Sequence, residues 1–424
     1  MFTQQAEREG SRGENLLEAE LFEDAETAAV EALRLNAGLD PKNVGKFRLL
    51  LAEAIRGQLG ADTDRDHELL EAARAAASLL AGDDDAGAAA ARALIGDVHV
   101  RAGRYDLALD VYEAVIRGLG DGWGQRSSRR ALRRATAGKF VCLCHLERQD
   151  EANELLDALY AGLPEWNRVT VAWIRHDVGR AFQFIGDDQQ SFEQYSEAIH
   201  LADVHGRYEP HFAALVHSAE LLAPKTPKSS MTMLDEAVSV IGKAIDDELA
   251  MLAEREQRTI QRALERGEAP PEREQPSPDP VKLARQARAR TLRVELLIDP
   301  EPVDEAVLGE LMPQAYRAAT QGADTLAQLV RDTDGQDPRL RSLMADLETA
   351  TGWLVAVQRG LGDVAGATAR LTALAELATS ANFAQVAERA TEKLGSLGPA
   401  AVSPTPDPAR VTPAPVATPV TAEA

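Results

Sequence analysis

The chain has 424 residues, 45% of them apolar and 27% charged, with 46 basic against 68 acidic side chains and a net charge of -22. That length predicts two or three domains and ample core material. The acidity argues against a general nucleic-acid binder, because phosphates are repelled, and the 4% aromatic content beside abundant Ala and Leu points to closely packed helices.

Residues 1–15 have no basic start followed by an apolar core, so no secretory signal is read there. No apolar run approaches the roughly 18 residues of a membrane span. A soluble, cytoplasmic chain is expected. Phe22, Ala25, Ala29 and Ala32 share one helical face, as do Leu69, Ala72, Ala76 and Leu79. The segment 93–116 holds two helices broken at Ala102-Gly103-Arg104. Tyr105, Ala108, Tyr112 and Val115 form the inner face of its second helix. Gly118–Gly124 is rich in glycine but has no Lys and no preceding strand, so it reads as a loop between repeats rather than a phosphate cradle.

Next comes a basic island in an acidic chain: Arg126, Arg129, Arg130, Arg133 and Arg134, with Lys139 beyond. Arg126, Arg130, Arg133 and Arg134 share one helical side. Such a patch suits a carboxylate or a phosphate. Cys142 and Cys144 form no disulfide framework and read as core thiols. Ala152, Leu156 and Leu159 make another apolar face. The template of 93–116 then returns at Gly179, Phe182, Gly186, Ser191, Tyr195 and Ala198. Gly96 to Gly103 and Gly179 to Gly186 are both seven residues; Gly96 to Tyr112 and Gly179 to Tyr195 are both sixteen. His200, His205, His211 and His217 lack the convergence that zinc needs, and no metal or cofactor is expected.

Leu234, Ala237, Ile241 and Ala244 open a long helix over 231–266, charged in its distal half. A Pro-rich loop at 267–280 and a return helix at 281–298 complete a projecting hairpin. Helices are expected at 303–321, 323–332, 338–360, 363–379 and 382–396. From Pro399 the Pro/Thr/Ala composition predicts a disordered tail. The domain reading is therefore helical repeats over 1–228, the long hairpin over 229–300, further helical repeats over 301–398 and the tail over 399–424. Self-association through 229–300 is one use of the hairpin.

Gly96, Gly103, Tyr105, Ala108 and Tyr112, and again Gly179, Phe182, Gly186, Tyr195 and Ala198, resemble the tetratricopeptide repeat signature. The spacing of the anchors at 25, 72, 108, 152, 191 and 237 always exceeds the family's period of about 34 residues. The resemblance implies an all-α, TPR-like α-solenoid, a right-handed superhelix of helical hairpins whose first helices line a concave groove. In that register Asp97, Val100 and Arg101 face inward, then Arg134, Val141, Cys144 and His145, then Trp173, His176, Arg180, Gln183 and Phe184. Glu147 occupies the turn position that glycine holds in the other two units. The candidate groove residues are Arg101, Arg134, His145, Trp173, His176, Arg180, Gln183 and Phe184, a cationic and aromatic strip. The Lys and Asn set with which some family members clamp a peptide carboxylate is absent.

No nucleophile–base pair, P-loop or dinucleotide fingerprint is found, so no enzyme is expected. The expected function is a scaffold that holds a protein or peptide segment with acidic groups. A signal-sensing regulator acting on another protein is the alternative, and nucleic-acid contact through Arg126–Arg134 is a third.

Overall fold

The computed structural model describes residues 2–18, 22–35, 40–59, 65–120, 122–162, 168–204, 208–266, 277–298, 305–335, 337 and 339–397. Residues 267–276 of the loop expected at 267–280, and the tail from Pro399, lie outside them. The described residues form seventeen α-helices and one turn of 3-10 helix, with no strand. None of these helices is long and apolar enough to cross a membrane. The chain divides into two compact units, Met1–Leu354 and Val355–Ala424.

In the first unit the helices are α1 (Phe2–Glu18), α2 (Phe22–Leu35), α3 (Pro41–Gln58), α4 (Asp66–Leu80), α5 (Asp85–Arg101), α6 (Tyr105–Leu119), α7 (Arg126–His145), α8 (Gln149–Gly162), α9 (Arg168–Phe184), α10 (Asp188–Val204), α11 (Tyr208–Leu222), α12 (Pro227–Glu265), α13 (Pro280–Ile298) and α14 (Glu305–Asp332). Helix α15 (Arg339–Gly360) follows. From α1 to α8 and from α9 to α14 consecutive helices pack on one another, and α1, α3, α5, α7 and α9 each also pack on the next odd helix. The odd helices therefore make one continuous layer, and the even helices α2 to α10 back it. This is the arrangement of a TPR-like α-solenoid.

The hairpin turns share one hydrogen-bond pattern. After α5, the Arg104 N–H donates to the His99 carbonyl at 2.9 Å; after α9, Asp187 donates to Phe182 at 3.0 Å. Both turns pass through a left-handed glycine, Gly103 at φ 67° and Gly186 at φ 82°. After α7 the same bond runs from Arg148 to Leu143 at 2.9 Å, yet the left-handed residue is Glu147 at φ 58°. The turn survives without glycine, at a backbone cost of about 1–2 kcal/mol.

Close approach within the odd layer comes from small residues gripping a ring. Tyr112 of α6 is 1% exposed and wedges against both α5 and α7. A Cβ at Gly96 would lie 2.5 Å from the Tyr112 ring, and one at Gly138 would lie 2.3 Å from it. Tyr195 meets Gly179 in the same way, at 2.8 Å. Ser191 is fully buried because its hydroxyl donates to the Gly179 carbonyl at 2.9 Å.

Helix α12 runs for 39 residues as one piece. Leu234, Ala237 and Ile241 bury its first half, and α13 is tied to it by Arg293 to Asp235 and by Lys282 to Glu248 at 2.9 Å. Beyond Glu248 its side chains are mostly exposed. The two helices expected at 303–321 and 323–332 are one helix, α14. Gly322 does not break it. A Cβ there would lie 2.7 Å from the Ala287 carbonyl oxygen, so this glycine serves close packing on α13.

In the second unit α16 (Val364–Ser380) and α17 (Ala384–Ser396) form a hairpin whose core includes Ala367 and Leu371. Its turns repeat the same pattern, through Gly362 at φ 75° and Asn382 at φ 64°.

The Tyr112 wedge yields a test. Gly138→Ala should destabilise the fold by about 1–3 kcal/mol through overpacking. Gly118→Ala, with open space around it, should leave urea unfolding unchanged or raise its midpoint. Equal midpoints for the two variants would contradict the wedge.

Candidate functional site

The inner face of the odd layer bears a cavity of about 590 Å³. Its walls follow helical periodicity: Arg56 on α3; Asp97, Val100 and Arg101 on α5; Arg130, Arg133, Arg134 and Val141 on α7; His176, Asp177, Arg180 and Phe184 on α9. Residues three, four or seven apart on each helix point the same way, so four helices deliver one lining.

Six arginines on one wall repel each other unless carboxylates intervene. Glu53 of α3, 7% exposed, supplies the first. Arg134 grips it with a two-pronged fork, Nη1 to Oε1 at 2.8 Å and Nη2 to Oε2 at 3.0 Å, and Arg130 Nη2 reaches the same Oε2 at 3.2 Å. Burial opposes the Glu53 charge, but the Arg134 and Arg130 guanidiniums outweigh it and hold the carboxyl down at about 2. Asp97 supplies the second: its Oδ2 lies 3.2 Å from Arg56 Nε and 3.5 Å from Arg134 Nε, while Oδ1 accepts from the Tyr112 hydroxyl at 2.7 Å. Burial also opposes the Arg134 charge, yet Glu53 and Asp97 raise its pKa above the ordinary arginine value.

The third carboxylate is Asp177, 2.7 Å from Arg133 Nε. Its pKa falls below the usual range despite burial, through the Arg133 charge and a hydrogen bond from His176. His176 Nδ1 is 3.1 Å from Asp177 and its Nε2 is 3.1 Å from His217 Nδ1, which also lies 2.8 Å from the Ala213 carbonyl. Only one proton placement serves all three contacts: His176 donates from Nδ1 to Asp177, and His217 donates from Nδ1. Burial lowers the His217 pKa to about 3, in keeping with a neutral ring. Arg101 pairs with Asp66 at 2.8 Å.

Arg180 is different. It is exposed, lines the cavity, and makes no hydrogen bond or ion pair among the described residues. Among the described residues, five of the six lining guanidiniums thus pair with four carboxylates, Glu53, Asp66, Asp97 and Asp177, so guanidiniums outnumber the carboxylates paired to them.

Of the eight residues read as groove candidates, Arg101, Arg134, His176, Arg180 and Phe184 line the cavity. The other three lie beside it. His145 stacks on Tyr105 at 4.2 Å and meets Phe184 edge-on at 5.9 Å. The Arg133 guanidinium sits over the Trp173 ring at 5.1 Å. Gln183 accepts from the Tyr195 hydroxyl at 2.8 Å. Of the basic island, Arg130, Arg133 and Arg134 enter the cavity, Arg129 donates to the Trp123 carbonyl at 3.1 Å, and the Arg126 side chain lies outside the described residues. Glu53, Arg56 and Asp177 were missed by sequence reasoning. The signal for the first two was a lone acid and a lone base, three apart, in the apolar run 49–55 and its end.

Glu53→Gln should cost about 3 kcal/mol of stability near neutral pH. A carboxyl held at about 2 when folded, against 4.5 ordinarily, contributes fully above 4.5 and loses its contribution as pH falls toward 2. The gap between wild type and variant in urea unfolding should therefore shrink from pH 5 downward. A gap independent of pH would contradict the pairing.

No family model matches the chain, and no curated protein matches it. Solved structures similar to it include three helical proteins. A Rap protein complexed with Competence and Sporulation Factor has TM-score 0.35 and 10% identity, over 93% of this chain and 98% of that one. BtubC (BKLC) from P. vanneervenii has TM-score 0.31 and 12% identity, over 83% and 96%. The apo form of RapI has TM-score 0.32 and 11% identity, over 92% and 99%.

Proposed function

We propose that this chain is a non-enzymatic interaction scaffold that holds a peptide or protein segment bearing acidic groups in the groove of its odd helices. The carrying observation is the excess of guanidiniums over the carboxylates paired to them in that groove, among the described residues, within a chain of net charge -22. The net negative charge of the chain disfavours an acidic segment in general, so a basic groove helps select its place of binding. Phe184, 54% exposed, adds an apolar contact one helical turn from Arg180. Arg101, Arg133 and Arg134 are ion-paired and about 20% exposed, whereas Arg130 and Arg56 are paired but more open and Arg180 is exposed, so these last three are the groups that meet the guest.

Charge-assisted hydrogen bonds of this kind contribute about 1.5–3 kcal/mol each. Fluorescence polarisation with a labelled Glu/Phe-rich dodecapeptide should therefore show binding that weakens by at least about tenfold in Arg130→Glu, Arg180→Glu. The same peptide with Lys in place of Glu should not bind. Unchanged affinity in the double variant, or equal binding of the Lys peptide, would contradict this reading.

A further inference from the structure

We propose that the anion this groove is built for is the dianionic phosphoryl group of a phosphomonoester, held between Arg130, Arg56 and Arg180. The inference rests on the reading of the groove as a binding site and names the chemistry of its guest.

The protein's own carboxylates pair with five of the six guanidiniums, but unevenly. Arg134 spends its whole fork on Glu53 and its Nε on Asp97. Arg130 spends one N–H on Glu53, Arg56 one on Asp97, and Arg180 none among the described residues. A guanidinium has five N–H donors, so these three keep most of theirs. Arg130 and Arg56 remain accessible, with side chains 56% and 39% exposed. They are held near one another because Arg134 bridges their carboxylates. Arg180 faces the same cavity from α9.

The unmet demand is therefore many N–H donors from separate helices, in a lining whose guanidiniums outnumber the carboxylates paired to them among the described residues. A planar carboxylate offers one charge and two oxygens, which suit a single fork. A phosphomonoester offers nearly two charges and three terminal oxygens pointing apart, which suit several arginines at once. Phe184 stands four residues beyond Arg180 on the same face, and its ring is continued by His145 and Tyr105. That aromatic run suits a ring or apolar group carried beside the phosphate. The cavity's 590 Å³ has room for both.

Calorimetry on the full chain near pH 7.5 tests this with phenyl phosphate, phenyl sulfate and glutarate. The first two share a shape and differ by one charge; the third spreads its two charges over two carboxylates. Phenyl phosphate should bind at least about tenfold more tightly than either, and Arg130→Gln, Arg180→Gln should remove that preference. Arg148→Gln, at an exposed pair with Glu151, should retain it. Equal affinity for phenyl sulfate or glutarate, or no binding of phenyl phosphate, would overturn the proposal. A phosphotyrosine hexapeptide and adenosine monophosphate then separate the sources, and selective binding of either supports the phosphoryl site. If only the nucleotide binds, the peptide reading fails while the phosphoryl site stands. If unphosphorylated acidic peptides bind and phenyl phosphate does not, the peptide reading stands and this inference falls.

Discussion

A row of arginines facing one another across a helical layer is unstable unless acids are buried among them. Glu53 meets that constraint. Its carboxylate is shared by Arg134 and Arg130, so it ties α3 to α7 over the intervening α5, whose Asp97 ties Arg56 to Arg134. The two acids set where the guanidiniums point and how much charge is left over. A buried ion network of this kind contributes little net stability compared with apolar packing, and its attested use is to specify geometry. Here the geometry is a groove with a surplus of donors.

The backbone framework makes that network reachable. Tyr112 fills the space between Gly96 and Gly138 and also donates to Asp97, so one side chain fixes the spacing of α5 and α7 and orients an acid of the groove. Tyr195 packs on Gly179 and donates to Gln183, repeating the device at α9. The packing rule of the repeat and the electrostatics of the groove thus meet in the same residues.

Much of this was legible from residues alone. Paired glycines at seven-residue spacing with a ring nine residues on state a helical hairpin, because only small residues permit that approach and glycine alone enters the left-handed turn without strain. Of the residues that the register of the resemblance turns inward, Asp97, Val100, Arg101, Arg134, Val141, His176, Arg180 and Phe184 line the cavity, and Cys144, His145, Trp173 and Gln183 do not. Other features needed three dimensions. Glu53 lies 81 positions from its partner Arg134, and no local spacing links them. Trp173 was read as a groove anchor, whereas its ring supports Arg133 from beside the cavity. Gly322 looked like a helix end because a close interhelical contact and a break call for the same residue type. Glu147 shows the converse, since its turn forms without the expected glycine.

The account stands on surplus positive charge concentrated between α3, α7 and α9. Anomalous diffraction from crystals soaked in tungstate, a tetrahedral dianion, tests it most directly. The account predicts a dominant peak inside the groove, within hydrogen-bonding reach of Arg130 and Arg180. Peaks confined to other surfaces, with the groove empty, would contradict it.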